Sequence, residues 1–247
     1  MREATSPAYR RAARAVRDRF RSLGYRTAVQ PVPIVAGAND DIPVEAGVTL
    51  NVIATPPGYR PWKAHTVVGA HLDTAPDAPG ANDNASGVAA VLELARLAAG
   101  HEMRLPSVFV VFGAEERRLL PSGERLRYQG SAAYVESLSR RERRAIRGML
   151  NLDMIGNGDA VHVLGAGSFS RYVLARAERA GIPARADASF FYSDHLAFAE
   201  RGVPVAWLWA GEHATLHTPS DVPRVVERGM LKRAGTLALR VLLGYRG

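Results

Sequence analysis

Three stretches of this chain, residues 66–70, 107–112 and 203–209, read as strands that are apolar almost from end to end, and 146–152 reads as a further buried strand. A strand with one wet face alternates in polarity, whereas a strand covered on both faces has no reason to. Strands of this kind need helices above and below them, and the intervening sequence supplies helical patterns. Residues 7–23 place Ala12, Ala13, Val16 and Phe20 near helical spacing, with Gly24 in position to end the helix. Residues 86–99 form a second pattern, with Ser86 as its expected N-cap and Gly100 just past its end. Further helices are expected over 130–136, over 169–180 (closed by Gly181), over 194–200 (ended by Gly202) and over 221–243. Strands alternating with helices predict an α/β fold around a mostly parallel sheet.

The remaining elements are peripheral. Residues 25–34 and 48–54 read as strands, and prolines mark the first as an edge. Residues 161–164 form a short strand and 182–186 an edge strand, while 36–43 and 117–129 read as loops. There is no internal repeat, low-complexity tract or domain-scale linker, so residues 1–247 are expected to form a single domain.

Composition narrows the chemistry. The chain has no cysteine, so a metal has to be held by His, Asp and Glu. The formal net charge is +8, and Lys63 and Lys232 are the only lysines among 32 basic residues. The densest cluster, residues 140–144, is interrupted by Glu142 and reads as a solvated helix end; no nucleic-acid-binding motif accompanies it. No apolar run is long enough to span a bilayer. Neither nucleic acid nor membrane is therefore an expected partner. The basic N-terminal stretch lacks an apolar core, so a cytoplasmic location is expected of the chain as written.

The informative residues lie where the buried strands stop. His71 and Asp73 follow the first, Glu115 and Glu116 the second, and Asp153 the third. His217 lies in the loop after the last, and Asp83 precedes the helix beside the first. Any one of these is unremarkable, since paired glutamates are commonly a solvated turn. Together they suit a metal centre at the mouth of the sheet, where ligands of α/β proteins usually sit. Five ligands hold two divalent ions if one carboxylate bridges them. Asp83 is the natural bridge, with His71 and Asp153 completing one shell and Glu116 and His217 the other. Glu115 is then free to act as a general base on a shared water. Asp73 is placed to accept the second N–H of His71, and Asp221 to do the same for His217.

The stretches 71–73, 80–87, 115–116, 152–156, 193–195 and 217–221 resemble, in residues and order, the M28 family of zinc metallopeptidases, which includes bacterial leucyl-type aminopeptidases. The resemblance implies a three-layer α/β/α sandwich with a mixed sheet of about eight strands. It also implies two Zn2+ ions per chain on the ligands named above, peptide substrates with a free N-terminus, and a cis peptide at Asp83-Asn84. Two departures stand out. Leu216 occupies a position where many members carry a tyrosine that helps hold the substrate carbonyl, and residues 121–125 look inserted into the segment after the paired glutamates.

Tyr192, Asp194 and His195 are the candidate substrate contacts, with Tyr192 and His195 able to supply the donor that Leu216 lacks. Phe191 is a further candidate for the pocket lining. His213 is expected at the rim, and His65, His101 and His162 at the surface or at strand ends. Two alternatives compete with the aminopeptidase reading: a glutaminyl-cyclase-like enzyme with one zinc, and a non-catalytic binding module of the same fold. The intact Glu115-Glu116 pair and the retained ligands favour the peptidase. The sequence leaves the preferred N-terminal residue and the oligomeric state open.

Overall fold

The computed structural model describes residues 1–188, 192–211 and 213–247. In chain order the helices are α1 (Pro7–Ser22), α2 (Gly87–Ala99), α3 (Gln129–Ser137), α4 (Arg140–Ala145), α5 (Ser168–Arg179), α6 (His195–Ala199) and α7 (Arg228–Gly244). The strands are β1 (Arg26–Ile34), β2 (Gly37–Asn39), β3 (Ile42–Val44), β4 (Gly47–Thr55), β5 (His65–His71) and β6 (Ser107–Phe112), followed by β7 (Arg118–Leu119), β8 (Arg125–Leu126), β9 (Ile146–Leu152), β10 (Val161–Leu164), β11 (Ala184–Asp187) and β12 (Val205–Trp209).

Eight strands form the central sheet in the order β1-β4-β6-β5-β9-β12-β10-β11. The middle is parallel: β6 with β5, β5 with β9, and β9 with β12. Antiparallel pairs flank it on both sides, β4 with β6 and β10 with β12. Every residue of β5, β6 and β12 is buried, which is why these strands show no alternation. One face packs against α1, α2, α5 and α7 through Phe20, Leu94, Val173 and Leu237. The other packs against α3 and α6 through Tyr134 and Phe198. This is the expected three-layer sandwich. Because β6, β5, β9 and β12 run parallel and adjacent, their C-terminal ends share one edge of the sheet.

Three local expectations are corrected. Residues 36–43 and 117–129 are not plain loops: β2 and β3 join β7 and β8 in a second sheet of order β3-β2-β7-β8. The buried Arg118 fastens this small sheet by donating to the carbonyls of Val35 and Glu45. Ser86 does not cap α2; its hydroxyl donates to the Asn82 carbonyl (2.6 Å) and accepts from Ile155 N–H (3.2 Å). The last helix begins at Arg228, after a short 3-10 turn at Pro223–Val225, because the Asp221 side chain is engaged elsewhere.

Candidate metal centre

The shared sheet edge brings the ligand candidates together. His71 ends β5, Glu115 and Glu116 follow β6, and Asp153 follows β9. The turn Ala81–Ser86 carries Asp83 back toward them, and the loop after β12 returns His217. His71 Nε2 lies 3.1 Å from Asp83 Oδ1 and 3.2 Å from Asp153 Oδ1. His217 Nε2 lies 3.2 Å from Asp83 Oδ2 and 3.2 Å from Glu116 Oε2. Two clusters of one histidine and two carboxylates thus share Asp83, one of its oxygens facing each.

The residues around Asp83 act as bolts. Asn84 donates to the Leu152 carbonyl (2.9 Å) and accepts from Gly87 N–H (2.9 Å). Asn82 accepts from Gly156 N–H at 2.8 Å. Together with Ser86 these contacts stitch the turn to residues 152–156, so two ligand-bearing segments move as one piece. Gly87 is needed for this closeness, since a Cβ there would lie 2.2 Å from the Leu152 carbonyl oxygen. The Asp83-Asn84 peptide is cis. Ala114, Met154 and His217 carry left-handed φ values of 55°, 52° and 56°, strained backbone of the kind that gathers at functional sites.

Two expected partners act differently. Asp73 sends its carboxylate to the next strand: Oδ1 accepts from Glu115 N–H and Oδ2 from Glu116 N–H, both at 3.1 Å. His71 Nδ1 donates to the Asp73 backbone carbonyl at 3.2 Å, while the carboxylate stands 3.7 Å away. The ring is therefore oriented mainly by a carbonyl. Asp221 does not hold His217. Its buried carboxylate accepts from Asn82 N–H (2.8 Å) and Asp83 N–H (3.0 Å) and fixes the backbone of the shared ligand.

Two more residues belong to the site and escape sequence reading. Ser193 donates to Asp153 Oδ2 (2.8 Å) and accepts from Asn151 Nδ2 (2.8 Å). Arg2 donates to the carbonyls of Leu72 (3.0 Å), Pro79 (2.8 Å) and Gly80 (2.9 Å), clamping both ends of the 72–80 loop between His71 and Asp83. Ser193 lies in a stretch already singled out, whereas nothing local marks Arg2.

The electrostatics are those of a cation site. Desolvation opposes charge on His71, but Asp153, Asp73 and Asp83 outweigh it and raise its pKa well above the imidazole range. Burial likewise opposes charge on His217, yet hydrogen bonds to Asp83 and Glu116 push it up to about 11. Burial raises the Asp83 pKa, but His217 and His71 prevail and pull it below the usual carboxylate range. Burial pushes Glu115 well up, Asp153 and Glu116 adding to it and His71 opposing. The carboxylates favour positive charge at their centre, which a divalent ion would supply. An all-nitrogen-and-oxygen donor set with atoms within 4.8 Å of one another fits such an ion.

The clusters open into a cavity of about 310 Å³. Glu115, Met154, Trp207, Trp209 and Leu216 line it, with Arg117, Arg127 and Tyr192 among the other lining residues. Tyr192 therefore stands where a substrate contact is expected. Asp194 and His195 do not line it: both are buried, and His195 packs its ring 5.1 Å from that of Trp207. Burial pushes Asp194 up to about 7 and His195 down to about 4, as befits groups inside the wall. Phe191 falls outside the described residues. His65 begins β5 and is buried against Tyr59, while His101 is exposed.

A doubly covered mixed sheet with two histidine–carboxylate clusters at its mouth is the architecture of a metal-binding α/β domain. The chain belongs to peptidase family M28, whose family model matches residues 51–242. It is 33% identical over 184 residues to aminopeptidase YwaD of Bacillus subtilis, an alignment covering 69% of this chain and 38% of that protein. It spans well under half of that relative's length. The fold is similar to that of a zinc aminopeptidase from Bacillus subtilis, with a TM-score of 0.84 at 19% identity, covering 97% of this chain and 89% of the other. It is also similar to a glutaminyl cyclase from Fimbriiglobus ruber, with a TM-score of 0.81 at 20% identity, covering 98% and 89%. Among the described residues no helix is long and apolar enough to cross a membrane.

Proposed function

We propose that this chain is the catalytic domain of a two-metal aminopeptidase that removes N-terminal residues from peptides, with zinc as its metal. The observation that carries the reading is the division of Asp83: Oδ1 faces His71 and Oδ2 faces His217, each beside a further carboxylate. His71 and Asp153 would hold one ion, Glu116 and His217 the other, and Asp83 both. Metal bound there would activate a water and polarise the peptide carbonyl. Glu115, half-buried beside both clusters and ligand to neither, is the general base. It takes a proton from the water whose oxygen bonds to the carbonyl carbon. As the C–N bond breaks, it returns that proton to the leaving amine. A raised pKa suits a carboxyl that must hold a proton and release it again. Asp73, gripping the backbone N–H groups of Glu115 and Glu116, positions base and ligand and does not itself touch the reacting atoms.

The test is metal analysis of purified protein alongside hydrolysis of leucine p-nitroanilide, before and after chelation. Two zincs per chain, with activity lost in chelator and restored by zinc, is the expected result. One zinc with cyclisation of N-terminal glutamine would favour the cyclase reading. Undiminished hydrolysis after verified metal removal would defeat any metal-based reading.

A further inference from the structure

We propose that Arg125 and Arg127, with the ring of Tyr192, form a subsite for a carboxylate on the part of the substrate that follows the cleaved bond. The proposal rests on the peptidase reading. Arg127 and Tyr192 line the metal cavity and also line a neighbouring cavity of about 360 Å³, together with Arg125, Leu126 and Tyr128. They form the wall that the two cavities share. The Arg127 guanidinium carbon sits 3.9 Å from the centroid of the Tyr192 ring. Tyr192 is 56% exposed, and the guanidinium stacks on one face of its ring. With one face covered by the ring, the guanidinium edge has no hydrogen-bond partner among the described residues, and a planar fork of this kind matches a carboxylate.

The charges nearby are already assigned, and these two are not. Arg117, also in the metal cavity, is ion-paired with Asp40, and Arg118 is spent on backbone carbonyls. Glu200 accepts at 3.0 Å from the hydroxyl of Tyr128, which lines the second cavity, and faces Arg201. Among the described residues neither Arg125 nor Arg127 has a carboxylate partner within ion-pair distance. The backbone of Arg125 is held in β8, paired across the strand with Leu119. The direction follows from the shape. Buried Trp207 and Trp209 stand at the inner side of the metal cavity, so the first residue of a peptide ends there. Everything after the cleaved bond has to leave over the open side, past Arg127 and Tyr192.

Two sources supply such a carboxylate: the C-terminus of a dipeptide, or an acidic side chain just after the cleaved bond. Pairwise substrates separate them. Leu-Gly against Leu-Gly-amide tests the terminus, and Leu-Glu-amide against Leu-Gln-amide tests the side chain. In the parent, kcat/KM should favour the carboxylate member of one pair by about tenfold or more, chiefly through KM. In the Arg125→Ala/Arg127→Ala protein that ratio should fall toward one, with Arg127→Lys intermediate, because it keeps the charge but loses the fork. Binding measured without turnover makes the outcome independent of the peptidase reading. By calorimetry, glycine should bind more tightly than glycinamide, or glutamate amide more tightly than glutamine amide, and the preference should vanish in the double variant. Equal ratios in parent and double variant, with leucine p-nitroanilide still cleaved and no calorimetric preference, overturn the subsite. Failure to cleave any substrate, with an arginine-dependent binding preference intact, overturns the peptidase reading and leaves the carboxylate site standing.

Discussion

The two halves of the metal centre share a ligand and little else. Around His71 the side chains are 1% exposed for the histidine, 9% for Asp83 and 7% for Asp153, and Ser193, Asn151 and the Asp73 carbonyl hold them in place. Around His217 the histidine is 37% exposed and forms one side of the substrate cavity. A buried half gains electrostatic strength and loses exchange; an open half admits substrate and exchanges readily. In the proposed two-metal enzyme, an ion held around His71 would keep the architecture while one held around His217 would meet the carbonyl.

The largest effect should come from removing what the halves share. Asp83→Ala is expected to abolish paired metal binding, and metal analysis of the folded variant checks it; two metals at full occupancy would show that Asp83 is not the bridge. Next, Glu115→Gln should keep both metals and lose about 10²–10⁴ in kcat. A Glu115→Gln protein that instead lost metal only from the open half would mean that the roles of Glu115 and Glu116 are exchanged.

The pH dependence of metal uptake comes third. Both histidines have raised pKa values, the open one at about 11, so they carry protons at neutral pH until metal displaces them. Affinity should therefore rise with pH, about tenfold per unit for each proton displaced. Zinc titrations at pH 6, 7 and 8 measure the slope, and a flat response would show that the histidines are neutral beforehand. The smallest effect is also the most selective. Ser193→Ala should weaken metal binding in the buried half alone, by about 10–100-fold, because it touches Asp153 and nothing in the open half. Equal weakening of both halves would mean that they are one coupled unit.

Much of this site was legible because its ligands lie at the ends of buried strands. The continuous apolar runs of β5 and β6 mark where a doubly covered strand stops, and His71, Asp73, Glu115 and Glu116 stand at or just past those ends, while His217 lies in the loop after β12. What stayed hidden depends on contacts between distant segments. The side chains of Asn82, Asn84 and Ser86 satisfy backbone groups about 70 residues away, so the motif is visible but its stitching is not. Asp221 sits beside His217 in sequence, yet its carboxylate serves Asn82 and Asp83 across the turn. Arg2 lies 70 to 78 residues from its partners. The small sheet was missed for another reason: strands of two and three residues are too short to show any period. Asp194 and His195 read as pocket residues through the family-like stretch 193–195, but both side chains are buried in the wall, His195 against Trp207.

The grip of Asp73 on Glu115 and Glu116 has an evolutionary consequence. Both glutamates are tied from behind, through their own N–H groups, to the strand that carries His71. The exposed tip at 121–125, beyond the buried Arg118, is thus able to lengthen, shorten or change charge without disturbing the paired glutamates upstream. Selection can then alter the diet of such an enzyme by editing the tip past Arg118 and leave its reaction untouched, and a laboratory loop exchange over the same tip can do likewise.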